Sequence, residues 1–489
     1  MRHPNKRISH IVHFVAAVCG LWFYSNACLA QALTVRLSVV SLKEPAKVSI
    51  AGEYLPGSLV WSFQNTHGRV VGLGDRIQGF SLADANGANV PVRKVGPGEF
   101  RAERSAVRFT YQMGLAIPSN PADATHVSGL NAQCGYLMLA DLLPQQPAAG
   151  SHLEFQLPKD WSIASSLQKS PDGWYEVKDP GNAVFLVGRD LREKRERIGS
   201  TEVAFVSAGE WPFAGERVAE IAAKIINDHS NHAGFDLKGR VALMLAPFPG
   251  SFGAERWSAE TRGSNVVLLM GRNSRRGPLL AQLSVVLTHE LFHLWVPNAL
   301  SLEGDYDWFF EGFTLYQALR SALRLGFIDF QEYLDTIGRV YDSYLHTIER
   351  DRYSLLESSL RRWTLASSLV YDKGMLVAFL YDLRLRRASK NRRSLDDVYH
   401  ELFRRFPTGA RRADANESIV SVLNRLDGDE EFARRYVQSP GSIDLETLLP
   451  VYGIRVKNSG LLQHLLIDES IDKEQRDVLV SLGYRKRGS

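Results

Sequence analysis

The segment His289-Glu290-Leu291-Phe292-His293 sets two imidazoles four positions apart, with a carboxylate beside the first. On a helix, positions i and i+4 share a face, so both rings can reach one Zn²⁺ ion. Glu290 then stands where it can take a proton from a water on that ion, as general base. Val285-Val286-Leu287 before the motif and Leu294-Trp295 after it are apolar, which predicts a buried helix. Burying two histidines and a glutamate is unfavourable unless something compensates, and a cation does. A core helix with two hydrogen-bonded histidines is the other reading of the same pattern. Glu311 bears on that choice. It lies 18 residues after His293 and interrupts the aromatic run Trp308-Phe309-Phe310-Glu311-Gly312-Phe313. A carboxylate placed there is a candidate third ligand. Two histidines and one carboxylate leave a vertex for water, which is how catalytic rather than structural zinc is held.

The elements that must position these groups change character along the chain. Residues 31–200 read as β-rich: Leu33–Val40 and Ala106–Tyr111 alternate polar and apolar side chains, and Pro56-Gly57, Pro97-Gly98 and Pro180-Gly181 punctuate them. An antiparallel sandwich or saddle-like sheet is expected. Residues 201–330 read as strands around an amphipathic helix (strands at 202–206, 240–246 and 265–270, helix at 211–231), followed by the metal-site helices. Residues 331–489 read as mainly helical, with segments at 329–350, 371–387, 394–406 and 417–426 and Asn416 as N-cap of the last. The charge-rich runs 190–197 and 384–387 read as solvated helix faces. The fold class expected is α+β.

At this point the motifs resemble a known group. H-E-x-x-H followed by Trp308-Phe309-Phe310-Glu311-Gly312-Phe313-Thr314-Leu315-Tyr316 is similar to the gluzincin metallopeptidases. Within them it most resembles the glycyl aminopeptidase family, a relative of the alanyl and leucyl aminopeptidases. The resemblance spans residues 155–455 and implies a thermolysin-like zinc peptidase domain behind the N-terminal β-rich domain. Leu369-Val370-Tyr371-Asp372-Lys373-Gly374-Met375 resembles the Y-x-K-G segment, which implies that Tyr371 is the tyrosine donating to the oxyanion. Phe252-Gly253-Ala254-Glu255-Arg256 stands where the family carries a G-x-x-E loop. By that resemblance Gly253 lets the backbone approach substrate and Glu255 binds the free amino terminus of a peptide. The implied function is a zinc-dependent aminopeptidase. An endopeptidase on the same scaffold, or a non-catalytic binding protein retaining the fold, are the alternatives.

Composition bounds the setting. The chain has 489 residues, 45% hydrophobic and 23% charged, with a formal charge of +4, ordinary for a globular protein of two or three domains. Arg2, Lys6 and Arg7 precede an apolar run from Ile11 to Tyr24, and Cys28-Leu29-Ala30 offers a cleavage site before Gln31. Residues 1–30 therefore read as a signal peptide. An exported protein, periplasmic or secreted, is expected, with no stable membrane insertion after cleavage and an uncleaved anchor as the alternative. Removing three positive charges leaves +1, which argues against a nucleic-acid partner. A peptide or protein substrate is the expected partner, and the sequence does not set the oligomeric state. Cys134 would be the one remaining cysteine, read as buried filler.

Overall fold

The computed structural model describes residues 32–148, 150–248, 256–272, 275–460 and 462–485. The signal-peptide reading, and Gly253 and Glu255, lie outside them. The fold is α+β, and its layers stack in sequence order. The first is an eight-stranded sheet running Tyr175–Val177, Gly150–Gln156, Ala32–Ser41, Lys47–Ser62, Glu99–Gly114, Ile77–Ala83, Asn89–Val90, with Val92–Gly96 also paired to Glu99–Gly114. Its one parallel pairing joins Ala32–Ser41 to Gly150–Gln156. The second is an antiparallel sheet of Trp161–Ala164, Val184–Arg189, Cys134–Met138 and Gly129–Leu130. The third is a five-stranded sheet ordered Arg192–Ile198, Thr201–Ser207, Gly239–Pro247, Asn265–Met270, Trp257–Arg262, parallel at its centre and antiparallel at both edges.

Strand alternation explains why these layers adhere. Successive side chains point to opposite faces of a sheet. In the second sheet Leu137, Phe185 and Val187 enter the core beneath the first sheet. Tyr136, Met138, Val184 and Leu186 face the other way, onto Ala204, Val206, Ala242, Met244, Val267 and Leu269 of the third. The third sheet's remaining residues, Val203, Phe205, Leu243, Leu245 and Leu268 among them, meet the helices. Buried on both faces, its central strands must be continuously apolar. Tyr136 carries a buried polar tie across the same interface, donating to the Met244 or Leu268 carbonyl (2.6 and 2.9 Å). Cys134 is buried beside it, and burial pushes its thiol up to about 11.

Three sequence expectations are corrected. Residues 192–198 form an edge strand, not a helix, antiparallel to Thr201–Ser207. A charged edge resists pairing with another chain, and a run of like and unlike charges carries no helical apolar period to distinguish the two. The helix Ala415–Asp427 is capped by Asp414, which accepts from Glu417 N (2.8 Å), and Asn416 lies inside it. The Asn416 amide instead accepts from Trp308 Nε1 (2.8 Å) and donates to the Asp305 carbonyl (3.0 Å). Within the helix Gly374–Ser389, Arg386 is buried against Asp382 at 3.1 Å, so the 384–387 run is only partly solvated. Among the described residues, no helix is long and apolar enough to cross a membrane.

The helix Arg276–Phe292 carries the histidine motif and packs against the edge strand Trp257–Arg262 of the third sheet and against the helix Gly215–Ala233. His229, on the latter helix, is fully buried and donates from Nε2 to the Thr288 carbonyl at 3.0 Å, its ring edge-on to Phe292 and Trp295. Burial pushes its pKa down to about 4 from an ordinary 6.5. Its folded pKa is the lower one, so its contribution to stability is complete above pH 6.5 and is lost as pH falls towards 4. The magnitude is about 3 kcal/mol. His229→Gln keeps a donor towards Thr288 but cannot titrate. Its thermal midpoint is expected to fall less than wild type's between pH 6.5 and 4, and parallel midpoints would contradict the assignment.

Candidate active site

The last turn of the helix Arg276–Phe292 presents His289, and His293 follows as its C-cap. Their Nε2 atoms are 3.1 Å apart. Glu311 Oε2 lies 3.4 Å from His289 Nε2 and 3.6 Å from His293 Nε2. Ligands held at ~2.0–2.1 Å around a tetrahedral zinc are about 3.3–3.4 Å from one another, so this triangle has the size of a zinc ligand set. Hydrogen bonding supports the fit. His293 Nδ1 donates to the Val296 carbonyl at 2.9 Å, which leaves the Nε2 lone pair for a metal. Two imidazole nitrogens in contact need a cation or proton between them. His289 Nδ1 is buried with no partner among the described residues.

Glu311 sits in a π-helical turn, Trp308–Phe313, and Tyr371 in another, Leu369–Lys373. Such wide turns recur at functional sites because they re-aim side chains. The two turns touch at backbone distance. A Cβ on Gly312 would lie 2.6 Å from Gly374 Cα and 2.6 Å from the Val370 carbonyl oxygen, and one on Gly374 would lie 2.7 Å from the Trp308 carbonyl oxygen. Gly312, next to Glu311, and Gly374, three residues beyond Tyr371, are thus contact requirements.

Glu290 is buried, and burial raises its pKa, with the two histidines opposing. Thr261, on the edge strand Trp257–Arg262, sits 2.8 Å from both Glu290 Oε2 and the Glu290 carbonyl, and its hydroxyl can donate to one of them. Burial likewise raises Glu311, but the Arg362 guanidinium and both histidines override it and hold that carboxyl well below the usual range. Burial, then the Glu311 charge, pushes the Tyr371 phenol up. His289, Glu290, His293, Glu311 and Tyr371 all line one cavity of about 720 Å³.

Two residues of the site carry no motif. Thr261 is one. The other is Arg362, which donates to Glu311 Oε1 (2.6 Å), Asp307 Oδ1 (2.5 Å) and Tyr371 Oη (3.0 Å). Neither has a local spacing that could have announced it. A second group of possible donors, His67, His126 and Glu260, borders the same cavity. There the Arg262 guanidinium already occupies the cation's place, 3.0 Å from Glu260 Oε1 and 2.6 Å from His67 Nε2. That cluster ties the N-terminal segments to the edge strand, and no metal is assigned to it.

The glycine contact gives a test. Gly312→Ala forces a methyl onto backbone that cannot swing aside, at a cost of about 1–3 kcal/mol. A lower thermal midpoint together with weaker metal binding is expected, because Glu311 must move with its neighbour. Unchanged values for both would contradict the contact.

Comparison with known proteins agrees with this geometry. Residues 282–377, which hold both histidines, Glu290, Glu311 and Tyr371, match the model of the M61 glycyl aminopeptidase family. No curated protein matches the chain. Among solved structures, an aminopeptidase N family protein from Idiomarina loihiensis superposes with a TM-score of 0.74 at 20% identity, covering 87% of this chain and 79% of that one. An M1 zinc metallopeptidase from Deinococcus radiodurans gives 0.54 at 15% identity, over 85% and 95%. A variant of the latter bound to a Tyr-Ser-Ala substrate gives 0.53 at 15% identity, over 85% and 95%. The chain thus shares the fold of these structures, and its segment 282–377, across the histidine and tyrosine motifs, is similar to the M61 glycyl aminopeptidases.

Proposed function

We propose that the protein is a zinc aminopeptidase that removes residues from the free amino end of short peptides. The observation that carries this reading is the convergence of His289 Nε2, His293 Nε2 and Glu311 Oε2 beside Glu290 and Tyr371 in one cavity. His289, His293 and Glu311 would hold the ion. A bound Zn²⁺ would supply Lewis acidity and a water acidic enough to ionise near neutrality.

The chain's own groups do the rest. Glu290, raised by burial, accepts the proton of the attacking water and returns it to the leaving amine. Tyr371 donates its phenol hydrogen to the carbonyl oxygen as charge builds there. A cavity of about 720 Å³ suits a short peptide better than a folded chain. The tripeptide held by the similarly folded Deinococcus radiodurans variant is the same class of ligand. Glu255 would bind the substrate's ammonium group and so set exopeptidase action, and Gly253 would let the backbone approach the substrate. The leader at residues 1–30 would place the enzyme outside the cytoplasm, in the periplasm or secreted.

Glu290→Gln is expected to lower kcat by roughly 10²–10⁴-fold with metal content unchanged. Chelation should abolish hydrolysis and added zinc should restore it. Peptides with a free amine should be cut and their N-acetylated forms spared, with Glu255→Gln raising KM for the free-amine substrates. Equal cutting of acetylated peptides would replace the aminopeptidase with an endopeptidase. Zinc binding without hydrolysis of any peptide would leave a binding protein.

A further inference from the structure

Arg362 touches both Glu311 and Tyr371 but takes no part in the proton transfers proposed above. It follows the short helix Leu355–Ser359 and precedes the Tyr371 turn. We propose that Arg362 is a positioning residue with two tasks: it restricts Glu311 to binding the metal through one oxygen, and it turns the Tyr371 hydroxyl hydrogen into the cavity. The second task rests on the peptidase reading, whereas the first needs only the metal site.

A guanidinium only donates, in a planar fork. Arg362 Nη2 has two hydrogens and two acceptors within reach, Glu311 Oε1 at 2.6 Å and Tyr371 Oη at 3.0 Å, while Nη1 is held by Asp307 at 2.5 Å. Glu311 Oε1 is thereby engaged in a short charge-assisted bond. Oε2 is the oxygen facing both histidines. A carboxylate held this way would offer a metal one oxygen.

At Tyr371 the phenol oxygen is the acceptor, so its own hydrogen cannot lie along that bond. It must point elsewhere, and the ring borders the cavity. An oxygen that already accepts a hydrogen bond is also the better donor. The guanidinium is itself confined, with ring centroids of Trp363 at 4.6 Å, Phe310 at 5.5 Å and Tyr371 at 5.9 Å. Its segment is fixed at two further points. Ser359 Oγ accepts from Trp308 N at 2.9 Å, on the Glu311 turn, and Ser367 Oγ accepts from Arg69 of the N-terminal region at 3.3 Å.

The test compares Arg362→Gln and Arg362→Lys with wild type, each with and without Tyr371→Phe. Zinc affinity is read by competition with a chromogenic chelator, and kcat and KM on a free-amine peptide at saturating zinc. Arg362→Gln should weaken zinc binding by roughly 10–100-fold. It should lower kcat by about the same factor while KM stays within about twofold. In the Tyr371→Phe background the kcat loss should shrink towards nothing while the loss of zinc affinity persists. Lysine restores the charge but not the fork, so it should recover part of the zinc affinity and little of kcat. Wild-type zinc affinity in Arg362→Gln, a rise in KM alone, or an equal kcat loss with and without Tyr371 would each overturn the proposal. Melting at saturating zinc checks folding, and if Arg362→Gln is unfolded, Arg362→Lys is judged on the same measurements. Wild type that binds zinc but cuts no peptide rejects the peptidase reading, and zinc affinity then still decides the first task. Wild type that binds no zinc rejects both.

Discussion

The Glu311 carboxylate divides its two oxygens between opposite neighbours. Oε2 faces the two imidazoles, and Oε1 faces a guanidinium. A charge buried this deeply is tolerable only when it is paired, so the site depends on that carboxylate being engaged on both sides. The same constraint reaches outward. Arg362 is shared with Asp307 and Tyr371, and the phenol and the Glu311 carboxylate are thereby fixed relative to each other by one planar group.

The fold supplies the rigidity this needs. The helix bearing the histidines packs against the edge strand of the five-stranded sheet, and one face of that sheet is glued to the N-terminal layers by side chains alternating along each strand. The strand at the sheet's edge then does two things at once. Thr261 hydrogen-bonds Glu290, while Glu260 and Arg262 grip His67 and His126 from the N-terminal region. Glu311 and Tyr371 arrive on π-helical turns brought to backbone contact by Gly312 and Gly374. Positions that a motif would record only as small residues are here the condition for two functional groups to meet.

What the sequence made legible follows from range. His289, Glu290 and His293 could be read together because helical periodicity converts a four-residue spacing into a shared face. Glu311 stood out because a lone carboxylate in an aromatic run demands a partner. Tyr371 came through resemblance, since nothing local distinguishes it from a core tyrosine. The α+β class followed from alternation giving way to helical periods. Thr261 and Arg362 were not legible: each reaches the site across a tertiary contact, over 29 and 51 residues of chain. The strand at 192–198 misled for a different reason, since an exposed edge has no apolar period and its charges suit a helix surface equally well. Asp414 and Asn416 are both good caps by type, and tertiary packing chose between them by engaging the Asn416 amide with Trp308.

The account comes down to one cation held by two imidazoles and a single carboxylate oxygen. X-ray absorption at the zinc edge of the purified protein measures that environment directly. The account predicts one zinc per chain with only nitrogen and oxygen neighbours at ~2.0–2.1 Å, two of them showing the outer scattering of imidazole rings. A sulfur neighbour, fewer than two imidazoles, or the absence of stoichiometric metal would contradict it.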